Sequence, residues 1–222
     1  MDKYTTRVVH GLALATLISA PLSAQAAGSA VIQTGKESTT LRWLDSKTVR
    51  IDMADGESYL LLREGKAYAV NNEPTAGVPR VMEISAMAGE MGMQDENGLS
   101  SISQKPKSFK KLGKSETIAG IKGEIYEVTD EKTGEIQQMV LTNNRQAQEM
   151  TEAMLAIKDS TTNKNSLEAF KAGLPKGLYG ILRVENEMLV KSLSPNAPPA
   201  EAFELPEAPM DMKQMLEQML QR

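Results

Sequence analysis

Methionine is the residue of this sequence whose type and spacing could do chemistry. Ten of the fourteen methionines lie in three short segments, residues 81–93, 149–155 and 209–222. Thioether sulfur is a soft ligand that suits Cu(I), so the pair Met91 and Met93 suggests a copper site as one hypothesis. The pair Met210 and Met212 repeats the pattern. Core packing of a helix also requires apolar residues at helical spacing, so the second hypothesis is that these methionines are core residues. The third is a pliable apolar surface, since unbranched methionine adapts to varied ligands.

Residues for other kinds of catalysis or metal binding are scarce. The chain has no cysteine, and its single histidine, His10, lies in a segment that we expect to be removed. The mature chain therefore lacks cysteine nucleophiles, histidine-assisted serine hydrolysis, ordinary zinc sites and haem held by His or Cys. Ser108 and Lys111 match an S-x-x-K pattern, but the partner motifs of such enzymes are missing and the stretch is strand-like. We expect a protein that is not an enzyme and holds no metal or other cofactor.

Residues 1–26 have the layout of a cleavable secretory signal. Lys3 and Arg7 precede an uncharged run from residue 11 to residue 22, and small residues stand at Ala24 and Ala26. The run is shorter than the roughly 20 residues that a membrane-spanning helix needs. We therefore expect export to the periplasm and no transmembrane segment in the mature chain. The net charge of −4 disfavours nucleic acid as a partner.

Short β-like runs alternate with turns along most of the remaining chain. Between residues 38 and 70 the turns are so short that successive strands must be antiparallel neighbours. The same alternation returns in residues 108–142 and in residues 177–193. The pattern predicts roughly ten or eleven strands in three blocks.

Segments with helical period separate or close these blocks. In residues 81–93, apolar residues recur at helical spacing, although two glycines weaken the pattern. A second helix is predicted to begin after Asn144 and to place Met150 and Met154 on one side. Residues 166–174 are a further candidate helix, and residues 209–222 form an amphipathic one. Its apolar arc contains Met212, Met215, Leu216, Met219 and Leu220.

The segment LGKSETIAGIKGEIYEV, residues 112–128, resembles the central signature of an uncharacterised bacterial secreted domain family. That family is related to the LolA/LppX half-barrel carriers of the cell envelope. Tyr126 stands where the family's extended strand ends in a tyrosine, and Phe203, Leu205 and Pro206 are similar to its closing F-x-[IL]-P segment. One residue departs from the pattern, because Gly123 stands where members often have a cysteine.

The resemblance implies an α+β fold with a strongly curved antiparallel sheet. The sheet would form a half-open β-barrel, and short helices would lie across its opening as a lid. We expect this domain in residues 27–208, followed by the C-terminal amphipathic helix in residues 209–222. The strand pattern alone leaves a second architecture open, in which the helices pack on one face of a flat sheet.

The fold implied by the resemblance favours a non-enzymatic carrier or chaperone that binds an apolar ligand in a concave cavity. The ligand would be a lipid, an acyl chain or a lipoprotein. The residues expected to line the cavity are Trp43, Ile51, Met53, Leu60, Leu62, Met87, Met91, Met150 and Met154. Two other classes stay open. One is a structural or interaction protein with a filled core, which acts through a protein partner bound at residues 210–221. The other is a Met-ligated Cu(I)-binding protein.

Overall fold

The computed structural model describes residues 27–73, 79–85, 108–129, 134–162 and 166–210. These residues form eleven strands, two α-helices and one 3-10 helix. The first six strands are β1 (Gly28–Thr34), β2 (Glu37–Asp45), β3 (Thr48–Asp52), β4 (Ser58–Arg63), β5 (Lys66–Asn71) and β6 (Val81–Glu83). They are followed by β7 (Ser108–Ile118), β8 (Ile121–Thr129), β9 (Ile136–Thr142), α1 (Arg145–Thr162) and α2 (Ser166–Gly173). The last elements are β10 (Gly180–Val184), β11 (Met188–Ser194) and the 3-10 helix (Ala200–Phe203).

All eleven strands belong to one antiparallel sheet. Their order is β6-β5-β4-β3-β2-β1-β11-β10-β9-β8-β7, so that the first and last of the described strands pair at the centre of the sheet. Within the described residues β6 and β7 are the two edges and do not pair with each other, which leaves the sheet open. The prediction of an α+β protein built on an antiparallel sheet that does not close is confirmed.

Several strands differ from the sequence-based expectation. β1 lies before the first predicted run, and β6 occupies the start of the segment that was expected to be helical. The rest of that segment, residues 86–93, is outside the described residues. β7 is one strand of eleven residues, with a break in register between Lys111 and Ser115. Gly113 lies in this break at φ 69°, a left-handed conformation that glycine adopts without a steric penalty.

Helix α1 begins where the sequence predicted. The Ala147 N–H donates a hydrogen bond to Asn144 Oδ1 at 3.1 Å, so Asn144 caps the helix. Met150 and Met154 are buried on one side of α1, as predicted, and Ala147 and Ile157 are buried with them. The helix contacts β10 and the strands from β1 to β5, and α2 packs against it. No helix among the described residues is both long enough and apolar enough to cross a bilayer.

Apolar residues are buried in two clusters. The larger cluster contains buried side chains of α1, Phe170 of α2 and inward side chains of most strands, among them Trp43. The smaller cluster contains Tyr59, Leu61, Tyr68, Val70, Val81 and Phe203. Because Leu61 and Leu62 are neighbours on β4 and belong to different clusters, the two clusters lie on opposite faces of the sheet. The C-terminal segment around Phe203 therefore covers the face that α1 does not cover.

Candidate functional site

A row of half-buried apolar side chains crosses β3, β4, β5 and β6. The pairing register places Ile51 opposite Leu60, Leu60 opposite Ala69, and Ala69 opposite Met82. Residues directly opposite each other on paired strands share a face of the sheet, so these four side chains form one row. The row continues Leu41, which is opposite Ile51 and fully buried in the larger cluster. The four members of the row are only partly buried.

A cleft of about 600 Å³ lies beside this row, between α1 and the ends of the strands. Its apolar lining comes from Leu62, Ala156 and Leu167. Leu62 is two residues from Leu60 on β4, which places both side chains on the same face about 7 Å apart along the strand. Sites for small molecules commonly have volumes of roughly 300–1,000 Å³. The cleft is therefore large enough to hold one.

The rim of the cleft carries paired charges. Lys66 Nζ donates to Glu83 Oε2 at 2.9 Å, and this hydrogen bond and the negative charge of Glu83 raise the pKa of Lys66. On the opposite side, Lys171 Nζ of α2 lies 2.7 Å from Glu152 Oε1 of α1. Lys171 also lies over the ring of Tyr179, 4.5 Å from its centroid. Glu83 and Glu152 are therefore each partnered by a lysine, and Asp159 is a third carboxylate of the lining. The cleft combines three apolar residues with a polar mouth.

A smaller pocket of about 170 Å³ lies at the other end of the same strands. Its lining includes Met53, Leu60, Ala69 and Met82. Leu60 thus lines the pocket, and Leu62 on the same face lines the cleft. We refer to the row, the cleft and the pocket together as the β3–β6 groove. Its apolar residues are Ile51, Met53, Leu60, Leu62, Ala69 and Met82.

The predicted lining residues fall into three groups. Trp43, Met150 and Met154 are at most 3% exposed and lie in the larger buried cluster. Ile51 and Leu60 pack against that cluster, Leu62 belongs to it, and Met53 lines the pocket. Met87 and Met91 lie outside the described residues. The structure thus brings Ile51, Met53, Leu60 and Leu62 together on the groove and places the other three described residues beneath the protein surface.

Sequence reasoning missed four residues of the groove. Met82 belongs to a methionine-rich segment that was interpreted as a helix, so its position on a strand was not expected. Ala69 is two residues from Ala67 on β5, and strand alternation could have placed it on a common face with Ala67. Ala156 and Leu167 could not be assigned, because their position depends on how α1 and α2 pack on the sheet.

The other face of the same strands is covered by the chain itself. Phe203 is 3% exposed and packs in the smaller cluster beside the 3-10 helix. Arg50 holds this segment, because its Nη1 donates to the carbonyl oxygen of Ala202 at 2.9 Å. Its guanidinium also lies 3.6 Å from the centroid of the Tyr59 ring, and burial lowers the pKa of Arg50. A ligand of these strands would therefore bind on the groove side.

The C-terminal segment reaches the edge of the groove at Met210. The Met210 N–H donates to the carbonyl oxygen of Val81 at 3.0 Å, and the Glu83 N–H donates to that of Met210 at 3.3 Å. These bonds pair Met210 with Met82 in a short parallel bridge. Two methionines are thus neighbours at the end of the row. The other residues of the copper hypothesis, Met91, Met93 and Met212, lie outside the described residues, and that hypothesis stays a prediction.

The S-x-x-K pattern lies on β7, where it cannot form a catalytic pair locally. Residues three apart on a strand point to opposite faces, so Ser108 and Lys111 diverge. Lys111 Nζ instead lies 2.8 Å from Glu124 Oε1 on β8. Glu124 also accepts a hydrogen bond from the Tyr126 hydroxyl at 3.0 Å, and these two bonds lower the pKa of Glu124. Lys111 is therefore a partner of Glu124 on the sheet surface.

Comparison of the chain with protein-family models, with curated proteins and with solved structures found no significant match.

Proposed function

We propose that the protein is a non-enzymatic periplasmic carrier or chaperone that binds an apolar ligand in the β3–β6 groove. The ligand class is a lipid, an acyl chain or a lipoprotein. One observation carries the proposal: a row of half-buried apolar side chains on β3–β6 lies beside a cleft of about 600 Å³ whose lining includes the apolar residues Leu62, Ala156 and Leu167. The row spans four strands, and three strand spacings amount to about 14 Å. The polar mouth at Glu83 and Glu152 would leave a ligand headgroup in contact with water.

The proposal includes a LolA-like fold, in which the sheet is a strongly curved half-open barrel. Open twisted sheets rarely exceed about ten strands without curling, and this sheet has eleven. Breaks in register occur in the pairings of β1, β2, β7 and β10, and such bulges bend a strand and increase its twist. Both features support a sheet that wraps partly around α1, with the groove beside the helix.

The hydrophobic effect would supply the affinity. Burial contributes about 0.8 kcal/mol for each methylene group, so about ten buried methylenes give about 8 kcal/mol before the costs of binding. Lost translational and rotational freedom costs at least about 4 kcal/mol of that. We therefore expect weak to moderate affinity, as a transient carrier requires, which rises about fourfold with each further methylene that the groove buries.

Titration of the full-length chain with a fluorescent fatty acid tests the proposal. We expect saturable binding, which Leu60→Asp and Met53→Asp each weaken at least tenfold, because a carboxylate must be desolvated against the acyl chain. Ile136→Asp is the matched control, since Ile136 is 63% exposed on β9 and lies outside the groove. Circular dichroism checks that each variant is folded. Absence of saturable binding by the folded wild-type chain would contradict the proposal, as would equal affinities of the groove and control variants.

A structural or interaction protein with a filled core is the second candidate. It is favoured by Trp43, Met150 and Met154, which were expected to line the cavity and are at most 3% exposed. If the protein acts only through a protein partner, the folded chain will bind no apolar probe in the groove. The titration above therefore separates the two candidates.

A further inference from the structure

Arg80 lies at the smaller pocket of the groove with a hydrogen-bond donor that has no acceptor. It is half-buried and directly follows Pro79, which lines the pocket. Arg80 Nε is buried, and no described residue accepts a hydrogen bond from it. A buried charged donor without an acceptor destabilises a fold, so its presence needs a cause, and a bound anion would supply one.

Asn71 supplies a second donor beside Arg80. The Asn71 N–H donates to the carbonyl oxygen of Arg80 at 2.9 Å, which continues the pairing of β5 with β6 and places the two residues opposite each other. Asn71 lines the pocket, and its Oδ1 accepts a hydrogen bond from the Glu73 N–H at 2.9 Å. This bond makes Nδ2 the atom of the amide that can donate to a ligand. Alternation along the strands places Arg80 on the face of Met82 and Asn71 on the face of Ala69, so both border the apolar row.

The two ends of the groove differ in charge. The lining of the cleft carries one ammonium group and three carboxylates, which belong to Lys47, Glu83, Glu152 and Asp159. At the pocket, the turn before β4 carries the exposed Asp55, whose carboxylate already accepts hydrogen bonds from the N–H groups of Glu57 and Ser58. An anion at the cleft would meet more carboxylates than ammonium groups, whereas at the pocket it would meet Arg80. The mouth of the cleft therefore suits an uncharged polar group, and the pocket suits an anion.

We propose that Arg80 and Asn71 bind the oxyanion head group of the apolar ligand, a carboxylate or a phosphate, at the pocket end of the groove. This inference rests on the proposed function, because it assigns the head group of a ligand whose chain lies on the apolar row. From Ser58 at the pocket to Leu62 at the cleft, β4 extends about 13 Å, and the chain would lie along Leu60 between them. A guanidinium group suits this role, since it binds carboxylate and phosphate oxygens through two parallel hydrogen bonds.

Competition with the fluorescent fatty acid, measured on the full-length chain, tests the head group. The competitors are tetradecanoate, tetradecyl phosphate and tetradecanol, which share one chain length and differ in head group. We expect the two anions to bind at least about tenfold more tightly than the alcohol, the ratio that a charge-assisted hydrogen bond provides. Arg80→Met should remove this preference and leave the affinity for tetradecanol unchanged. The tighter of the two anions identifies the source of the head group, a fatty acid or a phospholipid.

Lys47→Met is the matched control, because it removes a positive charge from the cleft, at the other end of the groove. The preference for anions should survive in this variant. Equal affinities of the wild type for the three competitors would overturn the inference and leave the proposed function in place, as would a preference lost in Lys47→Met and kept in Arg80→Met. If the wild type binds none of the three, the proposed function fails and the inference fails with it.

Urea denaturation separates a binding role of Arg80 from a structural one. Because Arg80 Nε has no acceptor among the described residues, Arg80→Met should unfold at the same urea concentration as the wild type or at a higher one. Arg50→Met is the comparison, since Arg50 donates to Asp52 and to the carbonyl oxygen of Ala202, and its loss should lower the midpoint. A midpoint of Arg80→Met as low as that of Arg50→Met would make Arg80 a structural residue and overturn the inference.

Discussion

Replacing Thr151 by valine removes one hydroxyl from a fully buried site between α1 and β10. Thr151 Oγ1 accepts a hydrogen bond from the Ile181 N–H at 3.0 Å and donates one to the carbonyl oxygen of Ala147 at 2.9 Å. Ile181 lies at a break in the pairing of β10 with β9, so its N–H bonds to the helix side chain. Thr151 and Ile181 are both 0% exposed, so water cannot replace the lost partner.

The expected loss of stability follows from this geometry. A buried donor left without a partner costs about 1–3 kcal/mol, while valine conserves the volume of threonine. We expect the free energy of unfolding of Thr151→Val to fall by about 2 kcal/mol. For a domain of roughly 150–250 residues this corresponds to a fall in Tm of about 4–8 °C. The variant Thr151→Ser keeps the hydroxyl and should lose only about 1 kcal/mol, for the missing methyl group.

Urea denaturation followed by tryptophan fluorescence measures both variants. Trp43 is the single tryptophan of the chain and is 1% exposed, so unfolding transfers it from the core to water. A valine variant at least as stable as the serine variant would refute the reasoning. It would mean that the Ile181 N–H finds another partner, and that the helix does not hold β10 through Thr151.

Two further predictions concern the strands near the β7 edge. An added Cβ at Gly123 would lie 2.5 Å from Val140 Cγ1, so Gly123→Ala should lower the free energy of unfolding by about 1–3 kcal/mol. In the double variant, Val140→Ala should remove the clash, so that the combined loss is smaller than the sum of the two single losses. Additive losses in urea denaturation would contradict the contact. Burial, and then the hydrogen bond to Glu124, raises the pKa of Tyr126 from 10.0 to about 12. The protonated phenol therefore stabilises the fold below pH 10, and this contribution is lost as the pH rises through 12. Between pH 9 and pH 12 the unfolding free energy of Tyr126→Phe should decline less than that of the wild type, by on the order of 2 kcal/mol. Parallel declines of the two proteins would contradict this role of Tyr126.

Gly123 is a position at which the structure supplies information that the sequence lacks. Gly123 stands where members of the domain family that residues 112–128 resemble often have a cysteine, and the sequence alone offered no reason for the difference. In the structure the residue is buried, and any side chain would meet Val140 and Leu182. A cysteine at this position would therefore require its neighbours to shift.

The local sequence was sufficient to predict the elements whose formation depends on neighbouring residues alone. Turns of two residues such as Ser46-Lys47 can only join antiparallel neighbours, and Asn144 with the apolar period after it predicted the start and buried side of α1. Prediction failed where the local signal was weak. β6 has only three residues and lies in a methionine-rich segment with helical spacing, and β1 adjoins the expected signal segment.

The sequence by itself determined the antiparallel character of the sheet and the common faces of Ile51 with Met53 and of Leu60 with Leu62, because alternation along a strand is a property of the backbone. Only the tertiary structure decided that Ile51, Leu60, Ala69 and Met82 form one row, since register depends on pairing between strands. It also decided that Met150 and Met154 are core residues and that the C-terminal segment ends its described path beside Met82. These contacts join residues distant in sequence, and their formation depends on the packing of the whole sheet.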